Sequence, residues 1–216
     1  MIRLEHVCVA HQVLPIEGRV GRTGIDKRPV DGPVEVGPLQ LAGDAICDTA
    51  NHGGRFRAVY VVSDEDAAVV GAELGRTPPA GWLGENLRVS GTSLSQVLIG
   101  ERWRIGSVEI AFTEPRIPCR TFAAWVAREH GPEAAAGWVK RFTELGRPGG
   151  MAEVLVPGTV RAGQPVEVAH RPAHGLTLGE AFAGMPADKA AALLAAYAPE
   201  DIQPDMLRRA RAAATR

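Results

Sequence analysis

Short runs rich in Val, Ile and Leu, punctuated by glycine, recur along the first four fifths of the chain. They predict strands at residues 2–9, 12–14, 34–36 and 57–62, then at 86–89, 96–99, 102–105 and 107–113, and last at 152–156 and 164–169. Between them the spacing of apolar positions turns helical. Ser63 with Asp66 three residues on is a helix-start signature, and Ala67, Val70, Ala72 and Leu74 carry the period up to Gly75. Two more helices are predicted near 121–130 and 133–145, the second opened by Pro132 and closed by Gly146. Past residue 176 the chain becomes alanine-rich. Thr177 and Glu180 form a second cap signature, and Pro186 and Pro204 stand where new helices begin, so three short helices are expected.

Many short strands with glycine turns argue for a closed β-barrel over a doubly wound sheet. The expected class is mainly β with helices: a barrel domain over 1–170 and a small three-helix unit over 171–216. Composition supports this, because the 25 glycines and 16 prolines exceed ordinary usage and suit turns better than a helical bundle. With 24 basic and 25 acidic residues the net charge is -1, so no global field draws the chain to nucleic acid or anionic lipid. No apolar run approaches a membrane span, and the start, Met1-Ile2-Arg3-Leu4-Glu5-His6, is charged too early for a signal peptide. Cys8, Cys47 and Cys119 are too scattered for a disulfide framework, which points to a reducing cytoplasm and to free thiols.

Cys119 follows Glu114-Pro115-Arg116-Ile117-Pro118 and directly precedes a predicted helix. A helix N-terminus and the charges of Arg116 and Arg120 favour thiolate, the form that binds metal or attacks. A buried structural cysteine fits the same local sequence. Cys8, in an apolar strand, is expected in the core, and Cys47 beside Asp48 also leans towards structure. A glycine-rich basic loop runs from Gly18 to Pro29 and includes Thr23, Gly24, Asp26, Lys27 and Arg28, while His52-Gly53-Gly54-Arg55-Phe56-Arg57 is a second segment of this kind. Glycines that let backbone N–H groups approach, beside cations, suit an anion, and they suit a solvated turn as well. Gly84-Glu85-Asn86-Leu87 either presents an amide and a carboxylate to a ligand or turns into an edge strand. No H-x-x-x-H or C-x-x-C pair indicates zinc.

Taken in order, several segments resemble the MOSC family: Gly24-Ile25-Asp26-Lys27-Arg28-Pro29, Leu41-Ala42-Gly43-Asp44, Asp48-Thr49-Ala50-Asn51-His52-Gly53-Gly54, Arg57-Ala58-Val59-Tyr60, Gly84-Glu85-Asn86-Leu87, Ile99-Gly100-Glu101-Arg102-Trp103-Arg104-Ile105-Gly106 and Pro115-Arg116-Ile117-Pro118-Cys119. The closing helices, from Gly175-Leu176-Thr177-Leu178-Gly179-Glu180, look like the extension of its YiiM-like branch. The resemblance implies a pterin-based molybdenum cofactor at the barrel mouth and reduction of N-hydroxylated compounds. Cys119 would then be the thiolate ligand of molybdenum. Thr23, Lys27, Arg28, His52, Arg55 and Arg57 would surround the anionic cofactor. Asp48 would fix the basic loop, and Asn86 would orient an oxo ligand or substrate. At Gly149-Gly150-Met151-Ala152-Glu153-Val154 the chain departs from the branch, which usually has an aromatic pair and then a basic residue.

With no flavin or nicotinamide motif in the chain, the implied partners are a small-molecule substrate and a separate electron-donating reductase, with a homodimer allowed. Two other functions share these residues. In one, a metal-free protein uses Cys119 as a nucleophile or persulfide on a small anionic substrate. In the other, a non-catalytic module binds a partner through its C-terminal helices.

Overall fold

The computed structural model describes residues 1–17, 20–49 and 52–216. Gly18 and Arg19 of the basic loop, and Ala50 and Asn51 of the segment from Asp48 to Gly54, lie outside the described residues. The strands are β1 Arg3–Ala10, β2 Leu14–Pro15, β3 Arg22–Thr23, β4 Lys27–Pro29, β5 Val34–Val36, β6 Val59–Ser63 and β7 Leu87–Ser90. They continue with β8 Arg102–Ile105, β9 Val108–Pro115, β10 Gly150–Val156, β11 Gly158–Val160 and β12 Val166–His170. The helices are α1 Asp64–Leu74, α2 Arg120–His130, α3 Pro132–Ala135, α4 Trp138–Leu145, α5 Leu178–Ala183, α6 Ala187–Ala196 and α7 Pro204–Ala214.

One eight-stranded sheet dominates, in the order β12-β8-β9-β10-β6-β7-β1-β4. Among the described residues β6 and β7 are the one pair that runs parallel, joined through α1, as a parallel connection needs a crossover. The closed barrel expected from the strand pattern is not formed by ladder pairing, since the end strands β4 and β12 do not pair. The free side of β1 is shared. Its last three residues pair with β4, whereas at its start an isolated bridge joins Arg3 to Pro165. Leu4 N–H donates to Gln164 O and Val166 N–H to Ile2 O, but Pro165 has no N–H with which to extend a ladder. The outcome is a mixed β structure with one large curled sheet and helices at its C-terminus.

Two helix starts follow the predicted caps. The Ser63 hydroxyl accepts from Asp66 N–H at 3.1 Å, and Thr177 and Glu180 form a complete reciprocal box. The predicted helix over 133–145 is broken in two, because Gly137 takes φ +65° between α3 and α4. The predicted strand at 96–99 is instead the end of a short 3-10 helix, Leu94–Gln96, and a chain segment bridged at Leu98 to Thr177.

Apolar side chains gather in two clusters. The larger fills the sheet's inner face with Trp103, Phe112 and Leu4, and continues into Leu176, Leu178, Leu193 and Met206 of the closing helices. The smaller is aromatic, with Trp82, Phe122, Trp125, Trp138 and Phe142 between α1, α2 and α4. Tyr60, Met151 and Cys119 belong to this second cluster, so the cysteine lies where the helical layer meets the sheet.

Candidate functional site

Cys119 is the N-cap residue of α2, four residues beyond the end of β9 at Pro115. Strand β9 must stop there, since Pro115 and Pro118 cannot donate to a ladder. Burial pushes the Cys119 thiol up, but a hydrogen bond with His52, the charge of Arg116, the Phe122 amide and the charge of His52 outweigh it and bring it down to about 6. The Arg120 charge invoked from sequence is not among these causes, and that side chain is exposed. Cys8 is the reverse case. Fully buried in β1 near the Glu85 carboxylate, its thiol is pushed up to about 12, as a core cysteine should be.

Two cavities meet at Cys119 and also share His52, Arg57, Arg116 and Met151. The first is a narrow cleft of about 140 Å³ that runs back to Thr23, Gly24 and Lys27. Seven predicted residues line it: Thr23, Lys27, Asp48, His52, Arg57, Asn86 and Cys119. Arg28 and Arg55 do not. Arg28 is exposed and turned to Asp26, at 3.1 Å. Arg55 reaches away to Glu153 at 2.6 Å and Asp201 at 3.5 Å. The departure at Glu153 thus has a structural partner, since it carries the charge opposite to that of Arg55.

The cleft floor is built on hydrogen bonds. Lys27 Nζ meets Asp44 Oδ2 at 2.5 Å with both side chains nearly buried. Asn86 Nδ2 donates to the same Asp44 oxygen at 2.8 Å and to Cys8 O at 3.3 Å, while its Oδ1 accepts from Tyr60 N–H at 3.1 Å. The Asn86 amide therefore ties β1, β6 and β7 to the cation beside the cleft. Close backbone approach shapes the loops above it. A Cβ on Gly24 would sit 2.3 Å from the Ala45 carbonyl oxygen, so only glycine lets the loop pass.

The second cavity is a broader basin of about 520 Å³, between the end of β9 and α7. Arg57 lies on the wall common to both cavities, forked onto Glu114, with Nη2 3.2 Å from Oε2. Burial pushes the Glu114 carboxyl up despite Arg57. Arg116 is buried, its guanidinium 4.0 Å from the Phe122 ring centroid, and its Nη1 has no partner among the described residues. Asp205, Arg208 and Arg209 of α7 close the far side. The role of α7 was missed from sequence, where nothing in its alanine-rich pattern places it beside Cys119. Glu114 and Asp44 were also passed over. Their signal was a carboxylate ending an apolar strand and another following a glycine turn. Among the described residues no group of three or more His, Cys, Asp or Glu forms a metal-ligand cluster.

Comparison with known proteins agrees with this geometry. The family model described as MOSC domain matches residues 48–167. The uncharacterized protein YflK of Bacillus subtilis is 30% identical over 167 residues, which cover 77% of this chain and 72% of that protein. Protein YiiM of Escherichia coli is 29% identical over 152 residues, covering 69% and 65%. The crystal structure of YiiM from Geobacillus stearothermophilus superposes with a TM-score of 0.73 over 99% of both chains at 22% identity. That of YiiM from Escherichia coli gives 0.65 at 26% identity, over 93% of this chain and 91% of that one. The matched segment takes in the second glycine–cation loop, strands β6 to β10 of the large sheet and Cys119, and on it the chain belongs to the MOSC domain family.

Proposed function

We propose that the protein binds a molybdenum cofactor through Cys119 and reduces N-hydroxylated small molecules, with electrons supplied by a separate reductase in the cytoplasm. The observation that carries the reading is a half-buried cysteine, ionised at neutral pH, at the end of a cleft lined by Lys27, His52, Arg57 and Arg116.

The residues present fit such a group. A single thiolate is a soft donor suited to a metal that arrives with its other ligands in place, as in a dithiolene complex. Metal binding needs the thiol deprotonated, which His52 and Arg116 already favour. Lys27, His52 and Arg57 would face the anionic cofactor, and Thr23 and Asp48 would line its cleft. Asp44 and Asn86 hold Lys27 in position through hydrogen bonds at 2.5 and 2.8 Å. When bound, the cofactor supplies two-electron oxygen-transfer chemistry. The substrate R–NHOH takes up two electrons and two protons and leaves as R–NH2 and water, with the reductase oxidised in step.

The test is elemental analysis after expression in a host that makes the cofactor. About one molybdenum per chain is expected, falling to background in Cys119→Ala. Full occupancy in that variant would remove Cys119 as the anchor. The low ionisation point of Cys119 also favours a second reading, in which the same thiolate takes the outer sulfur of a donor persulfide, whose S–S bond breaks and whose thiolate leaves, and carries it as a persulfide. A sulfur adduct on the Cys119 peptide in metal-free protein would select it.

A further inference from the structure

The basin beyond Cys119 has a charge distribution that the cofactor cleft does not explain. Six of its residues carry formal charge apart from Cys119 and His52: Arg57, Arg116, Arg208 and Arg209 against Glu114 and Asp205. Four of them pair off. Arg57 is forked onto Glu114 and its Nη2 also lies 3.5 Å from Asp205 Oδ2, while Arg208 Nη1 lies 2.7 Å from Asp205 Oδ1. Among the described residues Arg116 and Arg209 have no carboxylate at ion-pair distance, although Glu114 and Asp205 are near enough to act on Arg209.

Arg209 is half-buried. Its Nη2 donates to the Ala181 carbonyl, and among the described residues its Nη1 meets the Met206 sulfur, 3.8 Å away. Arg116 lines the basin as a buried residue, and its Nη1, itself shielded from solvent, donates to nothing among the described residues. A buried guanidinium with a free donor is costly unless a ligand supplies the acceptor. One of these arginines is fixed at the end of β9 and the other on α7, so an anion between them would touch both the sheet and the C-terminal helical unit.

We propose that this basin is the substrate's anion subsite: the compounds handled at Cys119 carry a phosphate or carboxylate, held by Arg116 and Arg209. The inference rests on Cys119 as the reacting centre, but not on the presence of a metal. Arginine grips either anion with parallel N–H donors. The C-terminal unit thereby becomes part of the specificity site, and neutral analogues that lack the anion bind less well.

The test uses full-length protein from a host that makes no molybdenum cofactor, so its result is independent of metal occupancy. Cys119 is alkylated with iodoacetate and, in parallel, with iodoacetamide, and the Cys119 peptide is followed by mass spectrometry. Each reagent forms a C–S bond and releases iodide, but only iodoacetate carries a carboxylate. The iodoacetate-to-iodoacetamide rate ratio is expected to fall about tenfold in Arg209→Gln, with the iodoacetamide rate within about twofold of the parent, as electrostatic steering of an anion requires. Asp205→Asn removes a basin carboxylate and should raise the ratio about two- to threefold. That opposite sign separates charge from damage to the fold. Protection of the parent by inorganic phosphate but not acetate would assign phosphate-bearing substrates, and the reverse would assign carboxylates. A ratio unchanged in both variants overturns the proposal.

Discussion

At Cys119, chain direction and charge act on one sulfur. Its thiol ionises near 6 instead of the ordinary 9.0, with His52 the largest favourable influence. The rate of alkylation by iodoacetamide should therefore rise with a midpoint near pH 6, and His52→Ala should move that midpoint up towards 9. A midpoint near 9 in the parent protein would contradict the geometry. The same shift affects stability. An unfolded chain holds the proton up to about 9 and the native one only to about 6, so the contribution is complete above 9 and gone below 6. Denaturant midpoints of the parent and Cys119→Ala, compared across pH 5 to 9, should diverge in the parent's favour as pH rises. Asn86 yields a different kind of prediction. Its amide satisfies Cys8 O, Asp44 Oδ2 and Tyr60 N–H in the interior. Asn86→Ala strands these groups and should cost about 2–4 kcal/mol, read from the urea midpoint.

Among the elements, what was legible in sequence was whatever local chemistry decides. Both cap signatures produce helices starting where Ser63 and Thr177 place them, because one hydroxyl and one amide suffice. Segment 96–99 misled for the opposite reason. Val97, Leu98 and Ile99 are apolar because they pack under α5, and a bridge at Leu98, not a ladder, holds them there. The closed barrel read from the strand pattern fails for the same reason, since closure depends on which partner takes each half of β1. In the site, the loops carrying Thr23, Lys27 and His52 could be read from glycine beside cation. That Arg28 and Arg55 turn elsewhere could not, because their destinations are single carboxylates, Asp26 beside one and Glu153 on β10 opposite the other. Glu153 is nearly buried, its side chain 10% exposed, so Glu153→Lys would set a second cation against Arg55 and should cost more than the ~1 kcal/mol of a surface pair, read from the urea midpoint. It should leave Cys119 alkylation unchanged, because Arg55 does not line the cleft.

Over the whole molecule, the composition shift near residue 171 coincides with no break in the core. Leu176, Leu178, Leu193 and Met206 are each wholly buried in the same cluster as Leu4, Trp103 and Phe112 of the sheet. Tyr197 adds a keyed contact, since a Cβ on Gly100 would lie 2.1 Å from its hydroxyl oxygen. Among the described residues no helix is long and apolar enough to cross a membrane, and the closing helices pack their apolar side chains in one cluster with the sheet. Burial of one Leu or Met is worth about 1.5–3 kcal/mol. Four such side chains already rival the ~5–15 kcal/mol by which a domain of this kind is stable. Deleting residues 176–216 removes them and also bares the inner-face neighbours they cover. The shortened chain is expected to lose its cooperative urea transition and to bind a hydrophobic dye such as ANS. Its Cys119 should also lose the low ionisation point, because the strand end, α2 and the His52 loop are held in place by the same packed sheet. A shortened protein that stays soluble, unfolds cooperatively and still alkylates with a midpoint near 6 would show that the helices are carried by the sheet without supporting it.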